Sequence, residues 1–131
     1  MEKHRLRSPL ANARGLGAAK DGFHHWWMQR LTAVALIPLT VWFVVSVLTQ
    51  LLGGSRFDVA DWLESPLVAL LLLSLLLSMF YHAKLGIQVV IEDYVHHERR
   101  KIVALIFLNF TVLAMSAVTV FSIFKLHFFG I

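Results

Sequence analysis

Three long stretches of the chain carry no charged side chain: Leu31 to Leu52 (22 residues), Ser65 to Tyr81 (17 residues) and Ile102 to Phe124 (23 residues). A helix rises about 1.5 Å per residue and a bilayer's hydrocarbon core is about 30 Å thick, so runs of this length cross a membrane as helices. The second does so by continuing past His82 and Lys84 to Ile91. Hydrophobic residues make up 58% of the 131, against roughly 45–50% in ordinary soluble domains. The expected fold is an all-α membrane protein with transmembrane helices near residues 28–52, 65–91 and 102–125, preceded by a polar segment, residues 1–27. The spans use most of the chain, which leaves no room for a soluble catalytic domain.

The absence of cysteine excludes disulfides, thiolate-held iron–sulfur clusters and a cysteine nucleophile within this chain. Redox chemistry here must use histidine or a partner. The segment before the first span lacks the continuous apolar core of a cleavable signal peptide, so the first span reads as an uncleaved anchor.

Cytoplasmic flanks of membrane helices retain lysine and arginine. Lys3, Arg5, Arg7, Arg14, Lys20 and Arg30 precede or open the first span, and Arg99, Arg100 and Lys101 lie between the second and third. The opposite side has only Arg56 and Lys125, with Asp58, Asp61 and Glu64. The N-terminus and second loop are expected in the cytoplasm, the first loop and C-terminus in the periplasm. Anionic headgroups and this topology rule account for the net charge of +4 without nucleic acid.

Along the chain, LGAAKDG (Leu16 to Gly22) reads as a loop, and the next residues, FHHWWMQR, place Trp26 and Trp27 in an interfacial aromatic belt. Pro38 should bend the first span, since it cannot donate a helical hydrogen bond. The first loop suggests a short amphipathic turn at Phe57, Trp62 and Leu63 lying on the surface, and Pro66 suits the first turn of the second span. Asn109, Thr111, Ser116, Thr119 and Ser122 can serve the third span as interhelical hydrogen-bond partners.

The second span holds the polar chemistry. Ser74, Ser78, His82 and Gly86 recur every four residues and form one stripe on a leucine-rich helix. Such a stripe is either a small-residue packing seam, with His82 bonded to a neighbour, or a haem seam in which imidazole binds iron and small residues leave room for porphyrin. An intramembrane histidine is a functional hypothesis by default. His82 is the only histidine well inside a span, so a haem with two histidine ligands needs its second from another polypeptide. Asp93 and Tyr94 follow eleven and twelve residues on, about 16 Å along a continued helix and nearly on the same face. A tyrosine hydroxyl there can donate to a carbonyl, and the carboxylate can orient it or relay protons. The plainer reading is a solvated helix end with a belt tyrosine.

The stretch HAKLGIQVVIEDYVH, His82 to His96, resembles the signature of the smaller cytochrome b membrane-anchor subunit of succinate dehydrogenase: a haem-ligating histidine, a glycine four residues later, then Asp-Tyr. GLGAAKDGFHHWWMQRLTAVALIP is similar to that family's lead into its first span, with glycine, histidine and arginine at comparable spacing. The resemblance covers roughly Gly15 to Arg99 by motif and the rest by architecture.

The resemblance implies a subunit that performs no reaction alone. It anchors the flavoprotein and iron–sulfur subunits to a bacterial inner membrane beside a larger sister cytochrome b subunit. His82 is then one axial ligand of a haem b shared with that sister subunit, His24 and Arg30 lie on the propionate side, and Tyr94 and Asp93 belong to the ubiquinone site. Lys84 has no counterpart and reads as a stem snorkelling to the headgroups; His96 and His97 extend beyond the pattern. A haem-free structural anchor and the corresponding anchor of a fumarate reductase remain as alternatives. A proton-coupled transporter fits poorly, since none of the uncharged runs holds the buried carboxylate such transport usually uses.

Overall fold

A computed structural model describes residues 17–53 and 59–129. His4, Lys3, Arg5, Arg7 and Arg14, and Arg56, Phe57 and Asp58 of the first loop, lie outside the described residues. The described part is helical throughout: α1 (Gly17–Leu52), the short α2 (Val59–Leu63), α3 (Pro66–Tyr94) and α4 (Glu98–Phe129). Three stretches are long and apolar enough to span a membrane: Gly22–Gln50, Pro66–Tyr94 and Glu98–Phe129, of 29, 29 and 32 residues. At about 1.5 Å per residue each exceeds about 40 Å, longer than the hydrocarbon core, so their ends reach into headgroups or water. This overshoot lets α3 carry Asp93 and Tyr94 on its last turn and α4 begin with Glu98, Arg99 and Arg100.

The loop expected at Leu16 to Gly22 is not observed, because α1 already starts at Gly17. Ala18 and Ala19 favour helix strongly and no proline interrupts the approach, so the span simply extends outward. The helix runs on through Pro38. Pro66 occupies the first turn of α3, where its missing N–H costs nothing. At the other end the Val95 N–H bonds the Ile91 carbonyl at 3.0 Å, and the Lys101 N–H bonds the His97 carbonyl at 2.9 Å. Only Val95 to His97 separate the two helices, which makes α3 and α4 antiparallel neighbours.

α3 is the central element. It packs against α1 on one side and α4 on the other, while among the described residues no Cα of α1 comes within 8 Å of one in α4. The helices thus form a single layer with two open faces. Among the described residues just Leu63, Ala69, Leu75, Leu85 and Ile123 are buried. Large apolar side chains such as Val34, Phe107 and Phe121 are more than 60% exposed, which water would not tolerate but lipid or a partner helix would.

The tightest packing lies where α3 starts and α4 ends. Leu63, Ala69 and Ile123 form a core there, with Val68, Leu72 and Leu126 against it. The amphipathic turn forms as α2, but it is not a surface ornament: Leu63 is only 1% exposed. Trp62 stacks on Trp42 at 6.0 Å between centroids and donates its indole N–H to Ser46 Oγ at 3.1 Å. His127 Nδ1 donates to the Leu63 carbonyl at 2.7 Å. These bonds tie α2 to both α1 and α4.

Candidate functional site

His82 stands a little past the middle of α3, twelve residues and about 18 Å before Tyr94. Its side chain faces α1, where Thr32 Oγ1 lies 3.0 Å from Nδ1. The threonine hydroxyl has one proton, directed at the Met28 carbonyl at 2.9 Å and the Gln29 carbonyl at 3.1 Å. With that proton on either carbonyl, the oxygen accepts from His82. In this arrangement Nδ1 carries the imidazole proton, and Nε2 keeps its lone pair for a Lewis acid. A histidine that ligates a metal is commonly held this way, its other N–H given to an oxygen that fixes ring and tautomer.

The ring borders an open cleft of about 350 Å³ lined also by Trp26, Gln29, Arg30 and Ala33. These four come from one face of α1, where residues three and four apart are neighbours. The Arg30 guanidinium lies 5.5 Å from the centre of the Trp26 ring, a cation–π contact that holds the charge at the cleft's rim. The cleft therefore brings together the His82 imidazole and the Arg30 cation. Such a pairing suits a flat, largely apolar group that carries both a metal and anionic substituents.

Of the residues singled out in the sequence, the fold brings His82 and Arg30 into one cleft. His24 is exposed on α1 and does not line it. Gly86 meets α1 as well, where an added Cβ would touch Gln29 Nε2 at 3.8 Å, an ordinary contact. Ser74 donates back to the Leu70 carbonyl at 2.8 Å. The stripe thus serves α1 packing at its His82–Gly86 end.

Asp93 and Tyr94 complete α3 as exposed residues. Tyr94, 76% exposed, opens a second cleft of about 450 Å³ with Val95, His96, His97, Arg100 and Ala104. His96 Nδ1 donates to the Tyr94 carbonyl at 3.0 Å and fixes the chain as it leaves the helix. The Lys84 ammonium rests 5.8 Å from the Tyr81 ring centre, and Gln88 donates to Glu92 at 2.8 Å. Among the described residues no three His, Cys, Asp or Glu side chains converge to hold a metal ion.

Sequence reading missed Thr32. It lies 50 positions from His82 and looks like one more small residue in an uncharged run. Its position two residues after Arg30, on the face shared with Met28 and Gln29, becomes informative only once α1 is placed against α3.

A family model described as the succinate dehydrogenase/fumarate reductase transmembrane subunit matches residues 4–122. A protein of Rickettsia bellii named succinate dehydrogenase hydrophobic membrane anchor subunit is 37% identical over 91 residues, 69% of this chain and 71% of its own. The protein of the same name from Rickettsia conorii is 32% identical over 121 residues, 92% of this chain and 96% of its own. That from Paracoccus denitrificans is 31% identical over 97 residues, 74% of each chain. No solved structure matches the chain significantly.

Proposed function

The chain belongs to the succinate dehydrogenase/fumarate reductase transmembrane subunit family, and on that premise we propose that it is the hydrophobic membrane anchor of a succinate dehydrogenase. With a sister cytochrome b subunit it holds the flavoprotein and iron–sulfur subunits against the cytoplasmic face of a bacterial inner membrane. Its N-terminus and the Val95–His97 connection face the cytoplasm, in keeping with the nine lysines and arginines counted on that side of the sequence.

The observation that carries the site assignment is the Thr32–His82 contact at Nδ1, which frees Nε2 to bind a metal beside a cleft that Arg30 also lines. These residues fit a haem b: His82 would hold the iron together with a ligand from the sister subunit, and Arg30, with His24 on the same helix, would pair with the haem's carboxylates. When bound, the haem supplies one-electron storage. Tyr94 donates a hydrogen bond to a ubiquinone carbonyl at the end of α3, and Asp93 orients it or passes protons. Succinate is oxidised on the flavoprotein, electrons cross the iron–sulfur subunit, and this chain contributes part of the place where ubiquinone accepts them. It carries no reaction alone.

A tagged chain purified from its own membranes should bring down the flavoprotein, the iron–sulfur protein and the sister cytochrome b with a reduced b-type spectrum. His82→Leu should shift or abolish that spectrum, while His127→Leu should leave it alone. Unchanged optical and paramagnetic spectra in His82→Leu would remove this residue from the iron. The family description also names fumarate reductase, which favours a second reading as that enzyme's anchor; the ratio of succinate oxidation to fumarate reduction in the purified complex separates the two.

A further inference from the structure

One buried polar side-chain atom among the described residues has no hydrogen-bond partner: Nε2 of His25. Such an orphan is uncommon enough to need a reason. His25 lies four residues before Gln29 and seven before Thr32, so it shares the α1 face that meets α3 at Gly86 and His82. The helices run antiparallel, since Thr32 pairs with His82 while Gln29, nearer the start of α1, pairs with Gly86, nearer the end of α3. Two turns carry His25 about 11 Å from the Thr32 level towards the end of α3, and Asp93 lies about 16 Å from His82 in the same direction. Along the helix axes His25 is therefore within about 6 Å of the Asp93 level, on the facing helix.

We propose that His25 is a positioning and proton-carrying residue for the Asp93–Tyr94 end of the molecule, a role that rests on the quinone reading above. Reduction of ubiquinone to ubiquinol takes two electrons, delivered by the iron–sulfur subunit, and two protons, drawn from the cytoplasm. Imidazole is suited to the second task, since it accepts a proton on one nitrogen and releases one from the other. Neutral His25 takes up a proton from the cytoplasmic side and passes it across bridging water to Asp93, which hands it to the quinone oxygen bonded by Tyr94; His25 is then neutral again and carries the second proton the same way. On the shared helix face the titratable groups of α3 are Asp93 and His82, about 6 Å and about 11 Å from the His25 level along the axes, and among the described residues no Cα of α4 comes within 8 Å of α1.

His25→Gln keeps a hydrogen-bonding side chain that cannot carry a proton, and His25→Asn serves should assembly of the first variant fall. Each is measured in the purified complex beside Tyr94→Phe. In His25→Gln, kcat for succinate-dependent ubiquinone reduction should fall by up to about a hundredfold, the lower end of what a positioned proton donor contributes. KM and quinone-site inhibitor binding should stay put. The solvent deuterium isotope effect on that reaction should rise, while succinate oxidation by a soluble acceptor and the b-type spectrum remain unchanged. Wild-type turnover and isotope effect in His25→Gln with a defective Tyr94→Phe overturn the proton role alone. A shifted haem spectrum with an unchanged isotope effect also overturns it and assigns His25 to the haem. If neither variant is impaired, the quinone reading falls with it.

Discussion

The sharpest test of the haem assignment is a residue that touches no cofactor. Thr32→Val preserves the side-chain shape and the branch at Cβ but replaces the oxygen 3.0 Å from His82 Nδ1 with a methyl group. The imidazole N–H then has no acceptor in a part-buried interface, where an unmet donor costs about 1–3 kcal/mol. Loss of the oxygen behind a metal-bound histidine usually weakens metal binding or activity by about 10–100-fold, which corresponds to about 1.4–2.8 kcal/mol at 25 °C. The two ranges agree, so Thr32→Val should release haem about 10–100-fold more readily without unfolding the anchor. A hydrogen bond to Nδ1–H also makes the ring a stronger donor that favours ferric iron; its removal should raise the haem midpoint potential. Haem retention under mild detergent challenge and a redox titration of the purified complex measure both. Thr32→Ser, which keeps the hydroxyl, should behave as wild type. Wild-type retention and potential in Thr32→Val would show that this contact only packs α1 on α3, and would remove the tautomer reasoning behind His82.

Tyr94→Phe keeps the ring and deletes the hydroxyl. Losing one donor to a developing anion costs up to about 2.7–4 kcal/mol, and a smaller loss is expected here because Tyr94 is 76% exposed in this chain and water can share the load. Succinate-dependent ubiquinone reduction should drop while dye-linked succinate oxidation holds; Asp93→Asn should move the same way, and equal rates would return the pair to an ordinary helix end. For topology, a reporter active only in the periplasm should work when fused after Ile131 and stay silent within His96 to Lys101; the opposite pattern overturns the orientation.

The three spans were legible because lipid demands long uncharged runs, a requirement that needs no knowledge of neighbours. The ends of those spans were not. α1 extends back to Gly17 because Ala18 and Ala19 continue a helix in water as readily as in lipid, and no charge pattern distinguishes that extension from a loop. His82 stood out because a titratable group in a span is costly. Thr32, the residue 3.0 Å from its Nδ1, costs nothing by itself in a helix and becomes meaningful only through a contact across the fold. Leu63 follows the same logic. In a polar loop it reads as a surface residue, and its burial arises from α4 returning to cover it.

Because α3 stands between α1 and α4, the described helices never enclose a volume of their own. They resemble one leaf of a hinge more than a bundle, and whatever closes over the broad sides must arrive from elsewhere.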